Sequence, residues 1–101
     1  LADWTKAADL SELATEGLGR AVKVAGLQIA LFRWEGRVYA LEDICPHMGF
    51  PLSEGITQAG EVMCNWHGWR IRLDDGSCRV TRRNGRSYPA EIRGEEVWVQ
   101  V

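Results

Sequence analysis

The residues that decide the reading are Cys45-Pro46-His47-Met48-Gly49-Phe50-Pro51-Leu52-Ser53-Glu54-Gly55 and, further on, Cys64-Asn65-Trp66-His67-Gly68-Trp69. Sixteen residues separate His47 from Cys64. The chain has only two histidines and three cysteines, and these two stretches hold both histidines and two of the cysteines. Thiolate and imidazole together suit zinc or iron–sulfur chemistry. Zinc fingers usually pair Cys with Cys and His with His. Here each stretch offers one of each, an arrangement suited to a binuclear cluster whose one iron takes both thiolates and whose other takes both imidazoles. A zinc-stabilised interaction module with no redox role stays as the alternative at this point.

Outward from these loops the pattern reads as β. Ala21–Val24 and Leu27–Trp34 are strands across the turn Ala25-Gly26, and Glu35-Gly36 leads into a strand at Val38–Leu41. Glu61–Cys64 and Trp69–Leu73 are short strands around the second Cys/His loop, and Asp75-Gly76 is a further turn signal. Ser87–Ile92 and Val97–Val101 form a last hairpin across Gly94, and Ser11–Glu16 is the one helical turn expected, with Ser11 as its N-cap. No repeat or linker interrupts the chain, so residues 1–101 read as one antiparallel β domain.

Composition sets outer bounds. The 101 residues leave room for one modest core, and 46% apolar with 26% charged is ordinary for a globular protein. The net charge of −2 does not fit a chain that coats nucleic acid. Charge is uneven: residues 1–61 hold five Lys/Arg against nine Asp/Glu, residues 62–101 seven against five. No run of 18 apolar residues predicts a membrane span, and no leader pattern opens the chain. Leu1 is not an initiator Met, which leaves an upstream segment open. Three cysteines do not make a disulfide framework, so the expected setting is cytoplasmic and the expected use is metal binding.

The two stretches resemble the signature of the Rieske iron–sulfur family, C-x-H and C-x-x-H, and Pro51-Leu52-Ser53-Glu54-Gly55 and His67-Gly68-Trp69 resemble the flanks of its two cluster loops. The resemblance implies a small antiparallel β-sandwich with a two-loop cluster-binding subdomain, its cluster-binding portion near residues 43–72. It implies one [2Fe–2S] cluster held by Cys45, His47, Cys64 and His67. Three departures remove no ligand: Asn65 where the family often has Pro, Phe50 where a small residue is common, and Arg72 where Asp is frequent.

Replacing two thiolates by neutral imidazoles removes charge and raises the potential, into a range of roughly −150 to +300 mV. High-potential members of the family join their loops by a disulfide and place Ser and Tyr hydroxyls near the sulfurs. The corresponding positions here are Phe50 and Trp66, and Trp69 and Ile71. The resemblance is therefore to the low-potential ferredoxin and oxygenase branch. It implies a one-electron carrier between redox partner proteins, a flavin reductase and a terminal oxygenase, with a small subunit of a larger reductase such as nitrite reductase as the alternative. The chain is expected to be a monomer and to do no substrate chemistry alone, because both histidines are already used and a mononuclear iron site would need more.

The remaining residues have plainer readings. Cys78 is expected to pack as a small hydrophobe. Trp66 and Trp69 are either core aromatics or, with Phe50, a screen that keeps water off the cluster. Trp4, Trp34 and Trp98 read as core or sheet-face residues. Gly49 and Gly68 serve tight turns that bring backbone N–H groups toward the sulfurs, and Pro46 and Pro51 stiffen the first loop. Pro89 with residues 82–85 offers a third loop. Arg79, Arg82, Arg83 and Arg86 form a solvated face or a docking patch for an acidic partner.

Overall fold

The computed structural model describes residues 3–13, 15–45, 49–64, 69–78 and 85–101. Among the described residues ten strands form three antiparallel sheets. The central sheet joins β2 (Arg20–Val24), β3 (Leu27–Trp34), β4 (Arg37–Glu42) and β8 (Ser87–Tyr88), in that order. On one side lies a sheet of β1 (Trp4–Asp9), β10 (Glu96–Gln100) and β9 (Ala90–Arg93). On the other lies a small sheet of β5 (Ile56–Gln58), β6 (Glu61–Met63) and β7 (Arg70–Arg72).

The middle of β3 shows why the central sheet can serve both neighbours. Ile29, Ala30, Leu31 and Phe32 are apolar without alternation, and all four are fully buried. Successive side chains of a strand point to opposite faces, so this run supplies two cores. Ile29 and Leu31 join Val24, Val38, Ala40, Val97 and Val99 in the core shared with the β1–β10–β9 sheet. Ala30 and Phe32 join Leu41, Leu52, Val62, Ile71 and Leu73 in the core shared with the small sheet.

Two-residue turns set the register. Ala25-Gly26, Glu35-Gly36 and Ala59-Gly60 each place both residues at positive φ, between 50° and 81°. That is the conformation whose twist matches a tight hairpin, and glycine supplies the second position without strain. The partners Val24↔Leu27, Trp34↔Arg37 and Gln58↔Glu61 close directly over these turns.

Two expected elements come out differently, and two strands are additional. The stretch Ser87–Ile92 is two strands, because Pro89 interrupts the ladder: β8 pairs with β4, and β9 pairs with β10 in the neighbouring sheet. The helical turn is a 3₁₀ turn at Leu10–Leu13, and the Glu12 side chain, not Ser11, accepts the Asp9 N–H at 2.9 Å. β1 and β5 are strands beyond those the sequence pattern predicts. Among the described residues no helix is long and apolar enough to cross a membrane.

Candidate metal centre

The first Cys/His loop leaves the end of β4. Asp43 extends the pairing of β4 with β3, its N–H donating to the Gln28 carbonyl at 2.9 Å. Cys45 follows, 1% exposed. Its N–H donates to the Phe50 carbonyl at 2.7 Å, and its own carbonyl accepts the Gly49 N–H at 2.9 Å. Gly49, at φ 77°, turns the chain within this closure.

The second loop joins β6 to β7 in the same way. Cys64 follows β6, 2% exposed, and its N–H donates to the Trp69 carbonyl at 2.7 Å. In both loops, then, the Cys N–H closes onto the carbonyl five residues ahead. Both cysteines belong to the one apolar core lined by Phe32, Leu52, Val62 and Ile71, against which Trp34, Tyr39 and Trp69 also pack.

Of the four expected ligands, the structure thus brings Cys45 and Cys64 into one buried cluster of side chains. His47 and His67 lie outside the described residues, as do Pro46, Asn65, Trp66 and Gly68. The donor set suits a two-iron cluster: one buried sulfur from each loop, apolar walls, and a histidine of the sequence two or three residues from each Cys. None of the three cysteines, all described, is in a disulfide. Cys78 is 8% exposed in the same core and forms a bridge pair with Ile71, in keeping with a small apolar side chain.

The return of the first loop, the flank at residues 51–55, is fastened by Asp43 and Gly19, which no motif marked. Leu52–Glu54 is a 3₁₀ turn whose Leu52 is fully buried. Ser53 donates its backbone N–H to one oxygen of the buried Asp43 carboxylate at 2.7 Å and its hydroxyl to the other at 2.8 Å. Gly19 abuts Ser53 so closely that a Cβ there would stand 2.5 Å from the Ser53 carbonyl oxygen and 2.7 Å from its Cα. Gly55 abuts β6, where a Cβ would stand 2.3 Å from the Met63 carbonyl oxygen.

Other expected features sit away from these loops or only partly in view. Phe50 is 38% exposed, so it does not seal the core, whereas Trp69 packs on it. The Gly49 N–H is taken up by the Cys45 carbonyl. Trp4 and Trp98 flank the Arg93 guanidinium on the outer sheet, at 5.2 and 4.6 Å from their ring centres. Of the arginine group only Arg86 is described; it is exposed and lies over the Tyr88 ring at 5.5 Å. In the proposed third loop, the described Gly85 donates its N–H to Gly76 at 2.7 Å, and residues 82–84 lie outside the described set.

The family model of the Rieske [2Fe–2S] domain matches residues 3–92, and the chain belongs to that family. It is 31% identical over 100 residues to the ferredoxin component of the naphthalene 1,2-dioxygenase system of Pseudomonas aeruginosa, a match covering 97% of this chain and 95% of that protein. It is 34% identical over 92 residues to the 4beta-methylsterol monooxygenase of Methylococcus capsulatus, covering 79% of this chain but only 25% of that larger protein. A solved structure described as the NADH-dependent nitrite reductase small subunit of Mycobacterium tuberculosis superposes with a TM-score of 0.89 at 31% identity, covering 100% of this chain and 96% of that one. The protein is a Rieske-type electron carrier that binds one [2Fe–2S] cluster, and the zinc alternative is thereby set aside.

Proposed function

We propose that this chain shuttles single electrons from a flavin reductase to a terminal oxygenase, with Cys45 and Cys64 on one iron of its cluster and His47 and His67 on the other. In this reading residues 1–101 are one Rieske domain with its cluster-binding portion at residues 43–72. The observation that carries the ligand assignment is the matching closure of the two loops around two buried cysteines of one core. The carrier role is supported by the near-complete coverage of a stand-alone ferredoxin component. When bound, the cluster supplies one reversible electron; the chain itself holds it, shields it and presents it. The partners are proteins rather than nucleic acid or membrane, the working form is a cytoplasmic monomer, and no substrate is turned over by the chain alone.

Iron, sulfide and zinc analysis of the purified protein tests the cofactor assignment. Two irons and two labile sulfides per chain are expected; one zinc without sulfide would overturn it. Voltammetry tests the branch. Trp69 and Ile71 offer no hydroxyl to the sulfurs, so the midpoint is expected near the low end for Rieske centres, about −150 mV, and a value above roughly +100 mV would refute that argument.

A second reading has an observation of its own. The likeness to the nitrite reductase small subunit covers both chains almost completely, which favours a subunit fixed to a larger reductase. Sedimentation with candidate partners separates the two: a carrier dissociates between turnovers, and a fixed subunit stays in a stoichiometric complex.

A further inference from the structure

Asp43 sits at a junction that nothing in the ligand motifs accounts for. Its backbone belongs to the central sheet, through the N–H bonded to Gln28. Its side chain is buried, 8% exposed, at the mouth of the first cluster loop. A buried carboxylate is costly unless its oxygens accept hydrogen bonds. Here both oxygens are used, and by the same residue, Ser53, ten positions on. The pair closes the chain from 43 to 53, and inside that closure lies the smaller one from Cys45 to Phe50. Each bond involves a carboxylate oxygen, the stronger class of hydrogen bond.

Ser53 is held from its other side as well. The close approach of Gly19 leaves no room for the Ser53 backbone to drift toward β2. Two residues later Gly55 lies against Met63, the residue before Cys64. The segment from Ser53 to Gly55 is therefore wedged between the central sheet and the strand that carries the second loop. A shift of Ser53 would be felt by both cysteines.

We propose that Asp43 is a positioning residue of the cluster: its carboxylate, rooted on the central sheet, fixes Ser53 and so sets the first cluster loop in place relative to the second. It touches no reacting atom and acts through the loop. The proposal rests on the assignment of Cys45 and His47 as ligands in that loop.

The test uses the intact holoprotein and three variants, Asp43→Ala, Asp43→Asn and Ser53→Ala. Two readouts are taken beside the thermal midpoint: the EPR g-values of the reduced cluster, and the rate at which an iron chelator bleaches it. Asp43→Ala should shift or broaden the EPR signal and bleach about tenfold faster, because both hydrogen bonds to Ser53 are lost. Asp43→Asn should restore both readouts, because its amide oxygen can accept the Ser53 N–H and its amide N–H can donate to the hydroxyl oxygen. Ser53→Ala, which keeps the backbone bond, should fall between, at about threefold. Wild-type g-values and bleaching in Asp43→Ala, with only a lower melting point, would reduce the residue to ordinary fold stability and overturn the proposal. So would an Asp43→Asn protein as impaired as Asp43→Ala. If Asp43→Ala does not accumulate, an unaltered Ser53→Ala protein is the overturning result. A wild-type protein that assembles no cluster would instead sink the ligand assignment beneath the proposal.

Discussion

Cys45 and Cys64 share a backbone setting. All three are buried in one core, so burial alone does not single out the two ligand candidates. What singles out Cys45 and Cys64 is the sequence around them: a histidine follows each by two or three positions, whereas Cys78 has none near it and lies in a bridge pair with Ile71. Serine at position 45 or 64 should therefore abolish the cluster's visible absorption and EPR signal, while Cys78→Ser should leave both intact; a Cys78→Ser protein unable to assemble a cluster would reverse the assignment. These cysteines were legible in the sequence because ligand spacing is local. Asp43 and Gly19 were not, since each acts on Ser53, ten and 34 positions away, and nothing in their neighbourhoods encodes that meeting. Gly19→Ala places a methyl against backbone atoms that cannot swing aside, and is expected to cost about 1–3 kcal/mol in chemical denaturation.

At the scale of elements, turn chemistry was the most readable signal and strand identity the least. Ala25-Gly26 and Glu35-Gly36 stand out between apolar runs and mark β2, β3 and β4 closely. The like turn Ala59-Gly60 joins strands of only three residues, too short for a period to show. β1 was hidden for another reason: its pattern is broken by a register shift between Lys6 and Ala8, so no clean alternation exists to find. The hairpin turns also allow a prediction. Ala25 and Ala59 sit at φ 50° and 53°, where a β-carbon is strained and Asn is better tolerated. Ala25→Asn and Ala59→Asn should each stabilise the holoprotein by about 0.5 kcal/mol, read as a higher melting temperature.

For the molecule as a whole, the fold class and the cofactor were readable from two motifs and a β pattern, but the stacking of three sheets was not, because the pairing that sends β8 and β9 to different sheets is non-local. One edge of the β1–β10–β9 sheet carries a pH-sensitive cluster. The Lys6 ammonium lies 2.9 Å from Asp9 and 3.1 Å from Glu96. Hydrogen bonding to Lys6 holds the Glu96 carboxyl below the usual carboxylate range, and hydrogen bonding to Asp9 and then Glu96 raises the Lys6 ammonium above its usual value. The Glu96 contribution is thus present above the ordinary carboxylate pKa, about 4.3, and is lost as the pH falls through its folded value. The Lys6 contribution is present below about pH 10.4 and is lost as the pH rises through its folded value. Comparing melting temperatures of the protein and its Lys6→Met variant from pH 3 to pH 9, the gap should be flat from pH 6 to 9 and narrow below about pH 4. These groups are exposed, so the gap should be small and should shrink with added salt.

The middle of β3 is buried on both faces, and the two apolar cores it separates share no side chain. Cys45 and Cys64 belong to one of them; the other, built from Leu13, Val24, Ile29, Leu31, Val97 and Val99, contains neither. This division predicts that folding of the scaffold and maturation of the cofactor are separable events. On that prediction a newly made chain closes the core between the central sheet and the β1–β10–β9 sheet before a cluster is delivered. Hydrogen exchange on the iron-free protein should show that order directly: amides of β1, β3, β9 and β10 stay protected, while those of β5 to β7 exchange freely until iron and sulfide are supplied.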